Sequence, residues 1–521
     1  MAYYEMGYLL GFLPLSILLY SICPKRFRWM SVLAMSFVFS IYFSRFLIIY
    51  PLLSVVVIYL VGNRLHFLQE KILRSKGKEE KQKIQRKKKW FLTGGILALV
   101  GILIYLKYYN FLVEILRESN VLRSGSLLSV KKLLLPMGIS FYTLQAISYM
   151  ADVYWGKIPH ENNIGKLALY IFYYPTLMEG PISNYDKKYE PIFEGTPISH
   201  DNLQEGFAKI LWGLMKKMVI ADRLYIPVTA IFSHYESYHG SMIVVGACFY
   251  TIQLYMEFSG CIDIAIGSAK IFGVTLPENF RQPFFAKSAA EFWRRWHISL
   301  GLWLKTYVFY PVSVSKLVKK WNKYSKKHLG KYPAKLGVTA LTLFPVWLIN
   351  GIWHGAWWGY ILYGMYYFVI LFVEVAIEEP WKKLMKVCRI DINHGLYQFF
   401  RILKTWVIIF SGELIFRGER LLVIKTMFTN LFKEFTLKGI WTNQILKLGL
   451  ERPDYFILCI SILLVAIGDI CKEKDIDFYG KIKIAATWKR WLVYYGLIFF
   501  IIIFGAYGSG YAAVDMIYAN F

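Results

Sequence analysis

The sequence predicts an all-α, polytopic membrane protein with about ten to twelve transmembrane helices. Three observations lead there. Of the 521 residues, 56% are hydrophobic, more than a soluble enzyme carries. The apolar runs are long enough to cross a bilayer and are separated by basic loops. Aromatic residues make up 18% of the chain, which suits wide belts at both membrane interfaces. The net charge of +27 invites nucleic acid as a partner. Its distribution argues against that, because Lys and Arg sit between apolar spans, where they anchor the chain against anionic lipid.

The first span covers roughly Tyr8 to Ile22. It lacks a basic start and a small-residue cleavage site, so it reads as retained. A short basic loop with Lys25, Arg26 and Arg28 follows. The apolar block Trp29 to Gly62 is about twice the length one helix needs and predicts a hairpin turning near Arg45 or Pro51. Asn63 to Lys89 is rich in Lys and Arg and belongs in the cytoplasm. Three spans precede it, which puts the N-terminus outside. A fourth span runs from Trp90 to Leu106 and extends to Leu116.

Leu133 to Trp155 is apolar, with Pro136 and Gly138 breaking its start. Leu167 to Leu177 ends in a turn at Glu179-Gly180-Pro181-Ile182. Leu203 to Leu224, with Lys209, Lys216 and Lys217 among apolar residues, predicts a helix at the interface. Ile243 to Val274 carries Glu257 and Asp263, carboxylates that should face protein or water. Leu276 to Ala290 reads as a re-entrant or surface connection. Lys316 to Lys335 is basic and cytoplasmic, and Leu336 to Glu378 is a two-span hairpin. Phe399 to Phe416 is a weaker span holding Arg401, Lys404 and Glu413. Phe456 to Cys471 and Trp491 to Phe504 are the last two spans. The tail from Gly505 has no Lys or Arg, so both termini are expected outside. Residues 1–521 read as one membrane domain.

There is no Walker A motif, no Gly-rich dinucleotide fingerprint and no HExxH motif. The six cysteines form no CxxC pair, so no metal site is expected. What remains is a histidine pair set among tryptophans. His297 closes Phe292-Trp293-Arg294-Arg295-Trp296-His297, and His354 lies in Asn350-Gly351-Ile352-Trp353-His354-Gly355. The second block sits in a charge-free run from Leu336 to Val373. An imidazole at membrane depth is costly to bury, which makes it a functional candidate; the plainer alternative is a neutral ring bonded to a neighbouring helix. A histidine can take a proton from a hydroxyl as that oxygen attacks an acyl carbon, if donors hold the developing negative oxygen. His354 is the candidate base, because its span is otherwise uncharged. Arg294 and Arg295 suit anionic groups of a cofactor or a lipid phosphate, or anchor the chain at the interface. Asp263 and Glu257 either orient an imidazole or form a buried structural ion pair.

These blocks, with Phe258-Ser259-Gly260, Ile262-Asp263 and Pro277-Glu278-Asn279-Phe280, resemble the membrane-bound O-acyltransferase (MBOAT) family, and within it the bacterial alginate O-acetyltransferase (AlgI-type) branch. Pro136-Met137-Gly138-Ile139-Ser140-Phe141 and Gly180-Pro181-Ile182 resemble that branch in the same order. The match is best over residues 133–364. The branch usually has a basic residue soon after Gly-Pro-Ile; this chain has Ser183-Asn184. The resemblance implies a bundle of tilted helices around a central funnel or tunnel. It makes His354 the hallmark catalytic residue and His297 the second one. Arg294, Arg295, Trp296, Asn350, Trp353 and Asp263 become candidate contacts to donor or substrate.

The resemblance also implies a bacterial plasma-membrane enzyme with no tightly bound cofactor. Its donor would be a cytoplasmic acyl thioester, with acetyl-CoA favoured, and its acceptor a cell-surface polysaccharide. An extracytoplasmic SGNH-type (AlgJ- or AlgX-like) partner would complete the transfer. The ending Met516-Ile517-Tyr518-Ala519-Asn520-Phe521 resembles a closing aromatic motif of related systems. Tyr518 is therefore a candidate acyl relay, or else an interfacial anchor. Three rivals stay open: D-alanyl transfer to teichoic acid (DltB-like), a lipid or polysaccharide transporter without chemistry, and a scaffold for cell-wall enzymes.

Overall fold

The computed structural model describes residues 2–119, 130–433, 435 and 444–507. Tyr518 lies outside them. Every regular element among the described residues is helical, and the chain is an all-α polytopic membrane protein. Among the described residues, seven helical stretches are long and apolar enough to cross a membrane: Lys25–Arg74, Lys78–Glu118, Ser241–Ile271, Lys331–His354, Trp358–Val387, Arg452–Glu473 and Thr487–Phe504. The expected ten to twelve exceeds this. Gly7–Ile22 and Ile139–Trp155 are short, and Gly395–Gly418 carries Arg401, Lys404, Glu413 and Arg417. Within Lys25–Arg74 the chain breaks at Arg45, whose φ is 48°, between helices Arg28–Ser44 and Ile49–Arg74.

The chain divides into two compact units. The first holds residues 1–210 and 261–277. Its centre is the helix Ile139–Trp155, buried on every side from Ile139 to Val153. Gly138 starts that helix at φ +71°, and a Cβ there would lie 2.0 Å from the Leu177 carbonyl oxygen. The break expected at Pro136 and Gly138 is thus a helix cap that only glycine fits. Buried tyrosines tie the unit together. The Tyr3 hydroxyl donates to the Tyr174 carbonyl at 2.6 Å, and the Tyr8 hydroxyl to Ser268 Oγ at 2.9 Å. Gly206 and Gly267 let two helices touch backbone to backbone, as small residues do where lipid removes the hydrophobic drive for helix association.

The second unit holds residues 211–260 and 278–515. Lys331–His354 and Trp358–Val387 form its hairpin, as expected. They cross where a Cβ on Gly351 would lie 2.4 Å from the Tyr360 carbonyl oxygen, and one on Gly364 2.3 Å from that of Trp347. The expected interface helix over Leu203 to Leu224 is corrected. Lys216 and Lys217 are buried. Lys216 Nζ donates to Ser259 Oγ at 2.9 Å, and Lys217 Nζ lies 2.7 Å from Asp222 Oδ1 and 3.2 Å from Glu257 Oε1. Paired carboxylates supply what interfacial water would have supplied. Arg452–Glu473 is held at both ends, by Arg223 on Asp454 at 3.0 Å and by Arg295 on Glu473 at 2.7 Å.

Candidate active site

Two short helices, Ala289–Arg295 and Ile298–Leu304, carry the first histidine between them. His297 adopts the left-handed conformation, φ 45° and ψ 53°, which is uncommon for a residue with a Cβ and marks a position held by its surroundings. Asn279 does the holding. Its Oδ1 accepts from Ser299 N at 3.0 Å and Ser299 Oγ at 2.9 Å, and lies 3.3 Å from His297 Nδ1. Its carbonyl accepts from Ile298 N at 3.0 Å. An acceptor at Nδ1 favours the tautomer with its proton there and leaves Nε2 as the basic nitrogen.

Glu374 fixes the other short helix. Its two carboxylate oxygens accept from Ala289 N at 2.9 Å and Ala290 N at 3.1 Å, where a helix start leaves N–H groups unsatisfied. Glu374→Ala is expected to cost about 1–2 kcal/mol, the worth of a lost helix cap. The check is a lower thermal midpoint of the purified protein, together with a raised KM for the donor.

The two arginines part company. Arg295 Nη2 donates to Glu291 Oε1 at 2.8 Å and Nη1 to Glu473 Oε2 at 2.7 Å, so its guanidinium holds elements together. Burial opposes ionisation of Glu291, but the Lys287 backbone N–H and Arg295 outweigh it and hold the carboxyl below its ordinary range. Arg294 is exposed and lines a cavity of about 1200 Å³.

That cavity lies wholly in the second unit. His297, Trp296, Trp293 and Asn350 line it beside apolar residues such as Leu300 and Trp347. Arg401 and the exposed Lys382 and Lys404 line it as well. The Asn350 carboxamide oxygen and the Trp293 indole nitrogen are buried with no hydrogen-bond partner among the described residues. Groups left in that state on a cavity wall are suited to a polar ligand.

His354 ends the Lys331–His354 helix one turn after Asn350 and is 3% exposed. It does not line the cavity. Aromatic rings surround it: Phe416 edge-on at 5.0 Å, Tyr363 edge-on at 5.8 Å and Tyr360 at 6.5 Å. Trp353 links the two histidines, with its ring 5.8 Å from that of His297 and 5.0 Å from that of His354. The structure therefore gathers His297, His354, Trp296, Trp353, Asn350 and Arg294 in one region. Asp263 belongs to the first unit, where its Oδ1 lies 3.8 Å from Lys209 Nζ.

Comparison with known proteins decides the family. The family described as MBOAT, membrane-bound O-acyltransferase, matches residues 157–382. A probable alginate O-acetylase AlgI from Azotobacter vinelandii is 30% identical over 475 residues, covering 91% of this chain and 85% of that protein. The chain belongs to the membrane-bound O-acyltransferase family. A peptidoglycan O-acetyltransferase from Helicobacter pylori is 28% identical over 412 residues, covering 72% of this chain and 71% of that one. A teichoic acid D-alanyltransferase from Bacillus subtilis is 28% identical over 255 residues, covering 48% and 61%.

In this membrane-bound O-acyltransferase, sequence reasoning missed three residues at the site. Asn279 stood inside a quoted motif without a role. Glu374 is a carboxylate in apolar surroundings, a signal that was available. Tyr363 carried no signal, being one tyrosine in an aromatic-rich span.

Proposed function

We propose that this enzyme moves an acetyl group from acetyl-CoA, arriving at the cytoplasmic face, to hydroxyl groups of an extracytoplasmic polysaccharide. The observation that carries this reading is the cavity with His297 and Asn350 on its wall and basic Lys382, Arg401 and Lys404 along it. At about 1200 Å³ it is somewhat larger than the roughly 300–1,000 Å³ of ordinary small-molecule sites, suited to a long thioester donor whose phosphates need cations. The name of the Azotobacter relative, an alginate O-acetylase, supports acetyl as the group and a polysaccharide as the acceptor.

In the proposed reaction, His354 takes the proton of the attacking hydroxyl as its oxygen bonds to the thioester carbon. The carbon–sulfur bond then breaks, and the departing thiolate receives that proton. His297 assists from the donor cavity, and Arg294 contacts the donor's anionic groups. Trp293, on the same wall, offers an indole N–H to the carbonyl oxygen as it gains charge. Tyr518 is the proposed relay toward an SGNH-type partner outside, and both termini lie on that side.

The test is mass spectrometry of cell-surface polymers from a strain lacking the gene. Ester-linked acetyl groups should vanish and return on complementation with the wild type. Loss of D-alanyl esters instead would move the donor assignment to the teichoic acid reading, and unchanged polymers would end both.

A further inference from the structure

We infer that Trp381, Tyr397 and Arg401 form a subsite for the nucleotide end of the donor, and that this subsite makes the enzyme prefer free coenzyme A to a thioester on a bare pantetheine arm. The inference rests on the cavity being the donor site.

The cavity has two unlike ends. Asn350, with its buried and unpartnered carboxamide oxygen, marks one. It stands beside the point where Gly351 meets Tyr360 and Gly364. From there the helices Lys331–His354 and Trp358–Val387 run antiparallel, with the Tyr332 hydroxyl on the Ala376 carbonyl and Lys335 Nζ 3.2 Å from Glu379 Oε1. Trp381 lies beyond that contact, so roughly 25 Å of helix separates Gly364 from Trp381. His297 and Asn350 thus belong to the reacting end, and Trp381 marks the far one.

Rings from two helices build the far wall. The Trp381 indole N–H donates to the Tyr397 hydroxyl at 2.8 Å. Trp381 remains exposed, as does Phe400, which shares a helix face with Tyr397. All three line the cavity. Rings tied at their edges and open to the cavity make a stacking platform, and a purine has a π-face to lay on it.

Arg401 supplies the charge. It follows Tyr397 by one turn and lines the same cavity, half-buried. The neighbouring cations are already engaged: Lys382 Nζ lies 2.7 Å from Glu378 Oε1, and Lys404 Nζ 3.4 Å from Glu374 Oε1. The Arg401 guanidinium has no hydrogen bond or ion pair among the described residues. A charge in that state is costly to half-bury, and its planar fork matches a phosphate. Lipid headgroups and nucleotides both offer phosphate. The rings beside it favour the nucleotide, because a headgroup has no flat face to stack. A donor carried on a protein brings no base and would leave the platform empty.

The experiment measures thiol release in permeabilised membranes holding the full chain, with acetyl-CoA or acetyl-pantetheine as donor. Wild type, Arg401→Ala, Arg401→Lys, Trp381→Ala and Trp381→Phe are compared per unit of membrane-inserted protein. Wild type should use acetyl-CoA with a kcat/KM at least about tenfold above that for acetyl-pantetheine. Arg401→Ala and Trp381→Ala should each raise the KM for acetyl-CoA about tenfold at unchanged kcat. Neither should alter the use of acetyl-pantetheine, so the preference collapses. Arg401→Lys and Trp381→Phe, which keep a charge and a ring, should retain most of it.

Equal losses with both donors overturn the inference and make Arg401 a lipid-phosphate contact and Trp381 an interfacial anchor. Equal use of both donors by the wild type overturns it as well. Wild type that releases thiol from neither donor removes the donor reading itself, so the two failures are distinguishable.

Discussion

Replacing His354 with alanine is expected to reduce acyl transfer by a factor of about 10² to 10⁴, the range general-base catalysis supplies, while the protein still accumulates in the membrane and unfolds near the wild-type temperature. The rings around the imidazole also hold one another. Phe416, Tyr363 and Tyr360 pack on one another at 5.0 and 5.1 Å independently of the histidine. Removing the imidazole leaves a small hole among rigid rings, whose cost is modest beside the catalytic loss. The measurement is ester acetyl per unit of membrane-inserted protein, alongside a thermal melt in detergent. Full activity in this variant would remove His354 from the mechanism.

Gly351→Val should give the same loss of activity with the opposite thermal outcome. Gly351 stands four residues before Gly355 and three before His354, at the point where the hairpin helices touch. A Cβ there would come 2.4 Å from the Tyr360 carbonyl oxygen and 3.3 Å from the Gly364 backbone. Backbone on both sides cannot yield as a flexible side chain can, so the helices must part. Overpacking of this kind costs about 1–3 kcal/mol or more, and it displaces His354, Tyr360 and Tyr363 together. The melt should fall by several degrees and activity should fall to background. A variant that melts normally but is inactive would mean that the crossing does not set the stability of the hairpin.

Much of the architecture was legible because its signals are local. Apolar length marked the hairpin over Leu336 to Glu378, which the structure builds as Lys331–His354 and Trp358–Val387, and the oddity of Gly138 after Pro136 marked a helix start. The histidines were legible for the same reason, as imidazoles in runs that need none. Pairing across the chain was not. Lys216 and Lys217 read as interfacial because Ser259 and Glu257, which bury them, stand about forty residues downstream and no periodicity links them, although Asp222, the nearer carboxylate on Lys217, is only five residues on. Arg295 read as an anion hook, yet Glu473, 178 residues away, occupies it. His354, the expected base, does not itself line the cavity. His297 and Asn350 line the cavity, and Trp353 stands between the two imidazole rings.

The Lys217, Asp222 and Glu257 cluster bears on how the protein enters the bilayer. A lone charged residue at the middle of a span raises the cost of leaving the insertion machinery by roughly 2.5–3.5 kcal/mol. Glu257 stands inside the span Ser241–Ile271, and its lysine belongs to the preceding segment. Released singly, the later segment would carry Glu257 into hydrocarbon without its lysine, while Lys217 keeps Asp222 as a partner within its own segment. Biogenesis is thus expected to retain the earlier segment beside the translocon until its successor emerges, so that Glu257 enters lipid already paired.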